Sequence, residues 1–305
     1  LITYSLGVHP KKVMNPYESA QKLHKVFPEF STKDPYRKLT SPKSFLWIKR
    51  NLTPADYNRV TYQGVVGLTF TKEQKRIYPH EKIVAHVVGY NHIDNLGLSG
   101  IERRFNDRLI HDAQPLQLSI DIRVQHILRD ALAKGMAEFR AQKGCGIVMD
   151  INTGEVLGMV SLPDFDPHKS KSSEAIFNTN TLGIYEMGSL FKIFTFAMAL
   201  DSKKFTLNSM FDASQPLSIG KFKVKDYQAK NRWLSFPEVF MYSSNIGTVK
   251  MALTLGADHQ RKFFESLGFL KPMDLEIGER GIPQYPSVWK DINVVTISYG
   301  YGLAV

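Results

Sequence analysis

The sequence contains very little cysteine, no clustered metal ligands and no long apolar run. Cys145 is the only cysteine, so no intrachain disulfide can form. β-Branched and apolar residues flank it, which predicts a buried thiol on a strand. The nine histidines are scattered without the spacing of ligands, and we predict neither a metal site nor a cofactor. No stretch of about 18 apolar residues suggests a membrane span, and residues 1–15 lack the arrangement of a signal peptide.

The charge balance is basic but shows no nucleic-acid-binding pattern. Lys and Arg number 39 against 29 Asp and Glu, a formal net charge of +10. Such an excess favours anionic partners. There is no arginine-rich run and no repeated alternation of basic and aromatic residues, so we predict a solvated basic surface and no nucleic-acid partner. With 43% hydrophobic and 22% charged residues, the composition is that of a folded globular protein.

The 305 residues fit one large domain or two, and the sequence changes character near Pro115. Residues 1–114 are rich in charged and aromatic residues and do not gather nucleophiles and bases, which predicts a structural domain. After Pro115 come a short strand at 116–120, a helix capped by Asp121 and a hairpin at 145–161. Helices and antiparallel strands in this order predict an α+β fold rather than alternating parallel units. Both ends read as the interior of an element, so we expect a fragment of a longer chain.

The segment YEMGSLFKIFTFAMAL, residues 185–200, places Ser189 and Lys192 three residues apart at the start of an apolar helical pattern. Residues at i and i+3 share one face of a helix. A serine hydroxyl needs a base to act as a nucleophile, and burial among Phe side chains lowers the pKa of a lysine towards that of a general base. We therefore predict Ser189 as nucleophile and Lys192 as base. The structural alternative is a core helix with a capping serine and a snorkelling lysine.

The Ser-x-x-Lys spacing alone is weak evidence. It occurs four times in the chain, at Ser19/Lys22, Ser189/Lys192, Ser218/Lys221 and Ser287/Lys290. Only the copy at 189 follows a glycine and opens an apolar helix soon after a hairpin. Ser243-Ser244-Asn245 is the one Ser-x-Asn in the chain, and its hydroxyl and carboxamide suit a proton relay and a substrate hydrogen bond. Taken alone, this segment also fits an ordinary helix cap.

Together these motifs resemble those of the penicillin-recognising serine enzymes, which carry Ser-x-x-Lys, Ser-x-Asn and Lys-Thr/Ser-Gly. The sequence around the motifs is similar to that of class B penicillin-binding proteins in three segments: YEMGSLFKIFT, GIVMDINTGEVLGMVSLPDFDP and KRIYPHEKIVAHVVGYNHIDNLGLSGIERRFNDRL. The RRFNDRL segment and the short distance from Ser189 to Ser243 look more like the cell-division branch than the elongation branch. No Lys-Thr-Gly or Lys-Ser-Gly occurs in the 305 residues. In the family that strand lies beyond YGYGLAV, so we expect this piece alone to be poorly active or inactive.

The resemblance implies a specific α+β architecture. A penicillin-binding transpeptidase domain, an antiparallel sheet with helices on both sides, would occupy residues 115–305 and lack its C-terminal Lys-Thr/Ser-Gly strand. A smaller non-catalytic pedestal domain, cut at its N-terminus, would occupy residues 1–114. The family's membrane anchor would precede Leu1, with the enzyme domain in the periplasm of a bacterial inner membrane.

The resemblance also implies an activity, a peptidoglycan D,D-transpeptidase that cross-links stem peptides during septal cell-wall synthesis. Ser189 would form the acyl-enzyme with Lys192 as base, Ser243 would relay a proton, and Asn245 would orient the donor peptide. Its partners would be stem peptides, β-lactam antibiotics, a septal glycosyltransferase and other divisome membrane proteins. The alternatives are an elongation-type class B transpeptidase, a serine β-lactamase or β-lactam sensor, and a non-catalytic divisome scaffold.

Overall fold

The structure is a computed structural model and describes residues 1–112, 114–169 and 175–305. The first 112 residues form three strands and six helices, which in chain order are β1 (Ile2–Val8), α1 (Pro16–Val26), α2 (Lys33–Leu39), β2 (Leu46–Leu52), α3 (Pro54–Thr61), β3 (Leu68–Gln74), α4 (Ala85–Val88), α5 (Gly100–Arg104) and α6 (Asn106–His111). Short 3-10 turns lie at Pro10–Lys12 and Glu81–Val84.

The described residues after Pro115 form six strands and seven helices. In chain order these are α7 (Ile122–Phe139), β4 (Gly144–Met149), β5 (Val156–Leu162), α8 (Thr179–Leu182), α9 (Lys192–Asp201), β6 (Met210–Asp212), β7 (Leu217–Ile219), β8 (Phe222–Val224), β9 (Trp233–Ser235), α10 (Phe236–Met241), α11 (Asn245–Leu255), α12 (Ala257–Ser266) and α13 (Asp291–Ser298). Every pairing between named strands is antiparallel, and the predicted α+β class is confirmed.

The first sheet has the strand order β2-β1-β3, with β1 in the centre. Helices α1, α2 and α3 pack near it and enclose a core formed by Leu6, Val8, Ala20, Leu23, Val26, Phe27, Leu39, Ile48, Leu52 and Val60. Helix α1 begins at Pro16. Pro16 occupies its first turn, and the Asn15 side chain accepts a hydrogen bond from the Glu18 backbone N–H.

The predicted helix after Asp121 and the predicted hairpin are both present, and helix α7 packs on the β4–β5 hairpin. Asp121 caps the helix by accepting a hydrogen bond from the Arg123 backbone N–H. The buried Gln125 side chain donates to the carbonyls of Ile83 and Met159 and accepts from the Met159 N–H. One glutamine therefore connects helix α7, strand β5 and the region before helix α4.

Two expectations for this region are wrong. Residues 116–120, all within the described part of the chain, form no strand. Ser119 Oγ donates to the Val156 carbonyl of β5, and the N–H of the next residue after this segment, Asp121, donates to the Leu157 carbonyl. Cys145 lies on strand β4 as predicted, but it is exposed. Side chains alternate between the two faces of a strand, and Cys145 lies on the face away from helix α7.

Helices α9, α11 and α13 form the centre of the second half of the chain. Helix α11 contacts both α9 and α13 and is buried nearly all round, which explains why its sequence is apolar on every face. The shared core includes Phe196, Met198, Val249, Met251 and Val295. Because α9 and α11 pack side by side, the first residue of α9 lies beside the turn that precedes α11. No helix in the described part of the chain has the length and apolar character needed to cross a bilayer.

Candidate active site

The candidate nucleophile lies on a 3-10 turn, Gly188–Phe191, that leads directly into helix α9. The α-helix therefore begins at Lys192, three residues later than the sequence suggests. Ser189, in the 3-10 turn, and Lys192, the first residue of the α-helix, line the same cavity. Ser189 is exposed, whereas the side chain of Lys192 is buried, with 3% of the residue accessible.

The Lys192 ammonium is directed at Ser243. Its Nζ donates to the Ser243 carbonyl oxygen at 2.6 Å and contacts Ser243 Oγ at 2.9 Å. A cavity of about 440 Å³ lies above these groups and is lined by Met187, Ser189, Leu190, Lys192, Ile193, Phe240 and Ser243. The structure thus brings the three predicted catalytic side chains to one opening.

Burial changes the acid–base behaviour of Lys192. Desolvation lowers the pKa of its ammonium to about 8, and the nearby Asp226 carboxylate opposes that change. The lowered pKa is the one expected from the apolar neighbours of Lys192 in the sequence. A lysine with a pKa near 8 carries a neutral, basic fraction close to physiological pH.

Ser243 follows Tyr242, the C-cap of helix α10, and adopts a left-handed conformation with φ of 52°. The Ser243 N–H bonds the Phe240 carbonyl and the Ser244 N–H bonds the Val239 carbonyl, which together make a Schellman motif. The left-handed position in this motif is usually a glycine, because a Cβ there is strained. The strained backbone directs both the carbonyl and the hydroxyl of Ser243 at Lys192.

Ser244 and Asn245 have structural contacts of their own. Ser244 caps helix α11 by accepting from the Gly247 N–H, so the capping interpretation is right for this serine. Asn245 is half-buried, and its Nδ2 donates to the Lys225 carbonyl at 2.8 Å. It is not among the described residues that line the cavity of Ser189, Lys192 and Ser243. The fourth predicted site residue is therefore the first residue of helix α11, two positions after Ser243, and does not line the cavity.

Residues 300–305 form hydrogen bonds to the segment that leads into the turn of the candidate nucleophile Ser189, Gly188–Phe191 (the nucleophile turn). The Gly188 N–H bonds the Gly300 carbonyl at 3.0 Å, and Glu186 accepts from the Gly302 N–H. Tyr185 and Val305 exchange two backbone hydrogen bonds. Gly188 has φ of 54°, a left-handed conformation that glycine adopts without strain. The nucleophile turn is thus positioned by a segment more than 100 residues away in the chain.

Comparison with known families matches nearly the whole chain. Residues 2–113 match the penicillin-binding protein dimerisation domain, and residues 144–305 match the penicillin-binding protein transpeptidase domain. The chain belongs to the class B penicillin-binding proteins. The resemblance drawn from the sequence motifs is confirmed, as is the arrangement of two domains.

Three relatives illustrate the similarity. A probable peptidoglycan D,D-transpeptidase FtsI of Caulobacter vibrioides is 35% identical, over 100% of this chain and 53% of that protein. A probable peptidoglycan D,D-transpeptidase PenA of Neisseria gonorrhoeae is 32% identical, over 86% of this chain and 50% of the relative. The peptidoglycan D,D-transpeptidase FtsI of Escherichia coli K12 is 29% identical, over 87% and 50% respectively. The chain spans about half the length of these relatives, and the resemblance to FtsI in particular is confirmed.

Burial separates the four Ser-x-x-Lys copies of this class B penicillin-binding protein. Lys192 is buried, whereas Lys22 is partly exposed and both Lys221 and Lys290 are exposed. Burial lowers the pKa of the Lys192 amine towards that of a general base. The copy selected by its sequence context is therefore also the one with suitable physical surroundings.

Asp226 is a residue near the site that the sequence analysis did not identify. Asp226 accepts hydrogen bonds from Ser244 Oγ at 2.8 Å and from the Ile246 N–H at 2.9 Å. Its neighbours in the sequence form no recognisable motif, and its partners lie 18 and 20 residues further along the chain. No spacing signal could have identified it.

Proposed function

We propose that the protein is a peptidoglycan D,D-transpeptidase that cross-links stem peptides through an acyl-serine intermediate during septal cell-wall synthesis. One observation carries the proposal, the buried Lys192 amine that shares a cavity with Ser189 and bonds Ser243. The names of the FtsI and PenA relatives support the same activity.

The two hydrogen bonds of Lys192 suit a general base. A neutral amine has two N–H donors and one lone pair, and Ser243 takes both donors with its carbonyl and hydroxyl oxygens. The lone pair remains for the Ser189 proton. Lys192 takes that proton as Ser189 Oγ attacks the carbonyl that joins the two terminal D-alanines of a stem peptide. The Ser189 backbone N–H is one donor to the resulting oxyanion, and such a donor typically contributes about 3 kcal/mol.

Collapse of the tetrahedral intermediate needs a proton on the leaving nitrogen. Ser243 passes its hydroxyl proton to the departing D-alanine amine and recovers one from the Lys192 ammonium, so no charge is left on the serine. An amine from a neighbouring stem then attacks the acyl-Ser189 ester: the new C–N bond replaces the ester C–O bond, and the proton that the amine loses passes through Lys192 to Ser189 Oγ. Asn245, the first residue of helix α11, orients the donor amide with the polar atoms that its bond to Lys225 leaves available.

The inhibitors, partners and cellular location that we propose are those expected for a member of this family. β-Lactams acylate Ser189 because their strained amide mimics the substrate. The proposed partners are stem peptides, a septal glycosyltransferase and other divisome membrane proteins, and the proposed location is the bacterial inner membrane with the enzyme domain in the periplasm. We place the division between the non-catalytic pedestal domain and the transpeptidase domain at residues 114 and 115.

The test is covalent labelling of the full-length protein by a fluorescent penicillin. Ser189→Ala should abolish labelling, because the variant lacks the hydroxyl that the proposal assigns to the acyl bond. Ser218→Ala is the matched control, because it removes the serine of another Ser-x-x-Lys copy whose lysine is exposed, and it should label normally. Equal labelling of the two variants would show that Ser189 is not the nucleophile. Release of the bound penicillin within seconds would favour a β-lactamase over a transpeptidase.

A further inference from the structure

Two adjacent residues, Lys225 and Asp226, accept hydrogen bonds from the turn that follows Ser243. The Lys225 carbonyl accepts from Asn245 Nδ2, and the Asp226 carboxylate accepts from Ser244 Oγ and from the Ile246 N–H. The three bonds are 2.8, 2.8 and 2.9 Å long. Each residue of the turn after Ser243, up to the second residue of helix α11, is therefore bonded to this pair.

The position of Asp226 has a clear physical basis. Its carboxylate lies at the N-terminus of helix α11, where unpaired backbone N–H groups and the positive end of the helix dipole favour an anion. Strand β8 ends at Val224, immediately before Lys225 and Asp226, and Val224 is buried in the same core as helix α11. The carboxylate is thus fixed to a packed element and can hold the strained Ser243 conformation in place.

Asp226 also acts on Lys192 through its charge. Its carboxylate raises the pKa of Lys192 against the larger effect of desolvation. On the helices that pack against α9, the charged side chains named next either bond another group or are exposed to solvent. Glu238 of α10 pairs with Arg232, Lys250 of α11 donates to the Asp212 carbonyl, and on α12 the exposed charged residues are Asp258, Arg261, Lys262 and Glu265.

We propose that Asp226 is a positioning residue for acylation: its carboxylate holds the Ser243–Asn245 turn against Lys192, so that Ser243 and Lys192 stay bonded. The inference rests on the proposed function, since it assumes that Lys192 is the base for Ser189. It assigns to Asp226 both a geometric effect, transmitted through Ser244 and Ile246, and an electrostatic effect on Lys192.

The two effects are separated by the pH profile of penicillin acylation in the full-length protein. The wild-type rate should rise with pH to a plateau, with a midpoint near the Lys192 pKa of about 8, because only the neutral amine accepts a proton. Asp226→Asn removes the charge that raises the pKa of Lys192, so the midpoint should move to lower pH. The same variant loses an acceptor for the turn, and its plateau should fall by about 10- to 100-fold.

Ser244→Ala is the matched variant, because it removes one bond to Asp226, together with the cap of helix α11, but keeps the carboxylate. Its plateau should fall while its midpoint stays at the wild-type pH. An unchanged midpoint in Asp226→Asn, or an unchanged plateau in Ser244→Ala, overturns the inference. Ser244→Ala decides the geometric part even where Asp226→Asn does not fold. A wild-type protein that penicillin does not label overturns the proposed function and this inference together, whereas a labelled wild type with either failed variant overturns only the inference.

Discussion

At the scale of single residues, Ser243 shows a conflict between stability and function. It stands at the left-handed position of a Schellman motif, where a glycine would be relaxed and a serine is strained by about 1 kcal/mol or more. Its hydroxyl and carbonyl are both bonded to Lys192. The strain is therefore located at the residue that the proposed proton relay requires.

Replacing Ser243 separates the two effects. Ser243→Gly and Ser243→Ala both lose the hydroxyl, and both should acylate at least about 100-fold more slowly than wild type. They differ only in the left-handed penalty, so the glycine variant should be about 1 kcal/mol more stable than the alanine variant in urea unfolding. Equal stability of the two variants would show that the conformation of Ser243 is not strained. Wild-type acylation by either would remove Ser243 from the relay.

The sequence could predict some of these residues and not others. The low pKa of Lys192 was predictable, because Phe191, Phe194 and Phe196 are its neighbours along the same segment. The pairing of Lys192 with Ser243 joins residues 51 positions apart, and only the motif resemblance indicated it. Asp226 had no such indication, because its role depends on how the β7–β8 hairpin folds back onto helix α11.

At the scale of elements, periodicity predicted the helix after Asp121 and the hairpin at 145–161. It placed the start of helix α9 too early, because an i, i+3 pattern fits a 3-10 turn as well as an α-helix. The strand predicted at 116–120 failed for a different reason. Its apolar residues Leu116, Leu118 and Ile120 pack against the core cluster around Met159 without forming a ladder of backbone hydrogen bonds.

The contact between the nucleophile turn and residues 300–305 can be tested with one methyl group. A Cβ on Gly300 would lie 1.9 Å from the Gly188 carbonyl oxygen, so Gly300→Ala must displace the turn that carries Ser189. A displacement of about 1 Å at reacting groups slows a reaction by about 100-fold, and we expect that loss in penicillin acylation.

Gly154→Ala provides the control for this variant. Gly154 also has a positive φ, 77°, but no atom lies within 4 Å of the position that its Cβ would take. It should therefore lose about 1–2 kcal/mol of stability from the left-handed conformation and acylate like wild type. A Gly300→Ala protein that acylates normally would mean that residues 300–305 do not position the nucleophile.

At the scale of the whole molecule, the two halves of the chain are joined by hydrogen bonds to the region 78–100. The Tyr78 N–H donates to His168 Nε2, Gln125 donates to the Ile83 carbonyl, and the Gly100 N–H donates to both oxygens of Glu279. Apolar residues from both halves share one cluster, which includes Val87, Ile101, Met159 and Ile277. The change in composition near Pro115 indicated two parts, but no local pattern could reveal contacts between residues up to 179 positions apart.

Glu279 offers a direct measure of how firmly the two halves are joined. Glu279→Ala leaves the buried Gly100 N–H without its acceptor, and an unsatisfied buried donor costs about 1–3 kcal/mol. Arg103→Ala is the control, because Arg103 is exposed and lies 3.8 Å from Glu279, a surface pair worth less than about 1 kcal/mol. Urea unfolding should therefore show a clear loss for Glu279→Ala and little for Arg103→Ala. If the arginine variant lost as much stability as the glutamate variant, the surface ion pair rather than the Gly100 N–H would be the main connection.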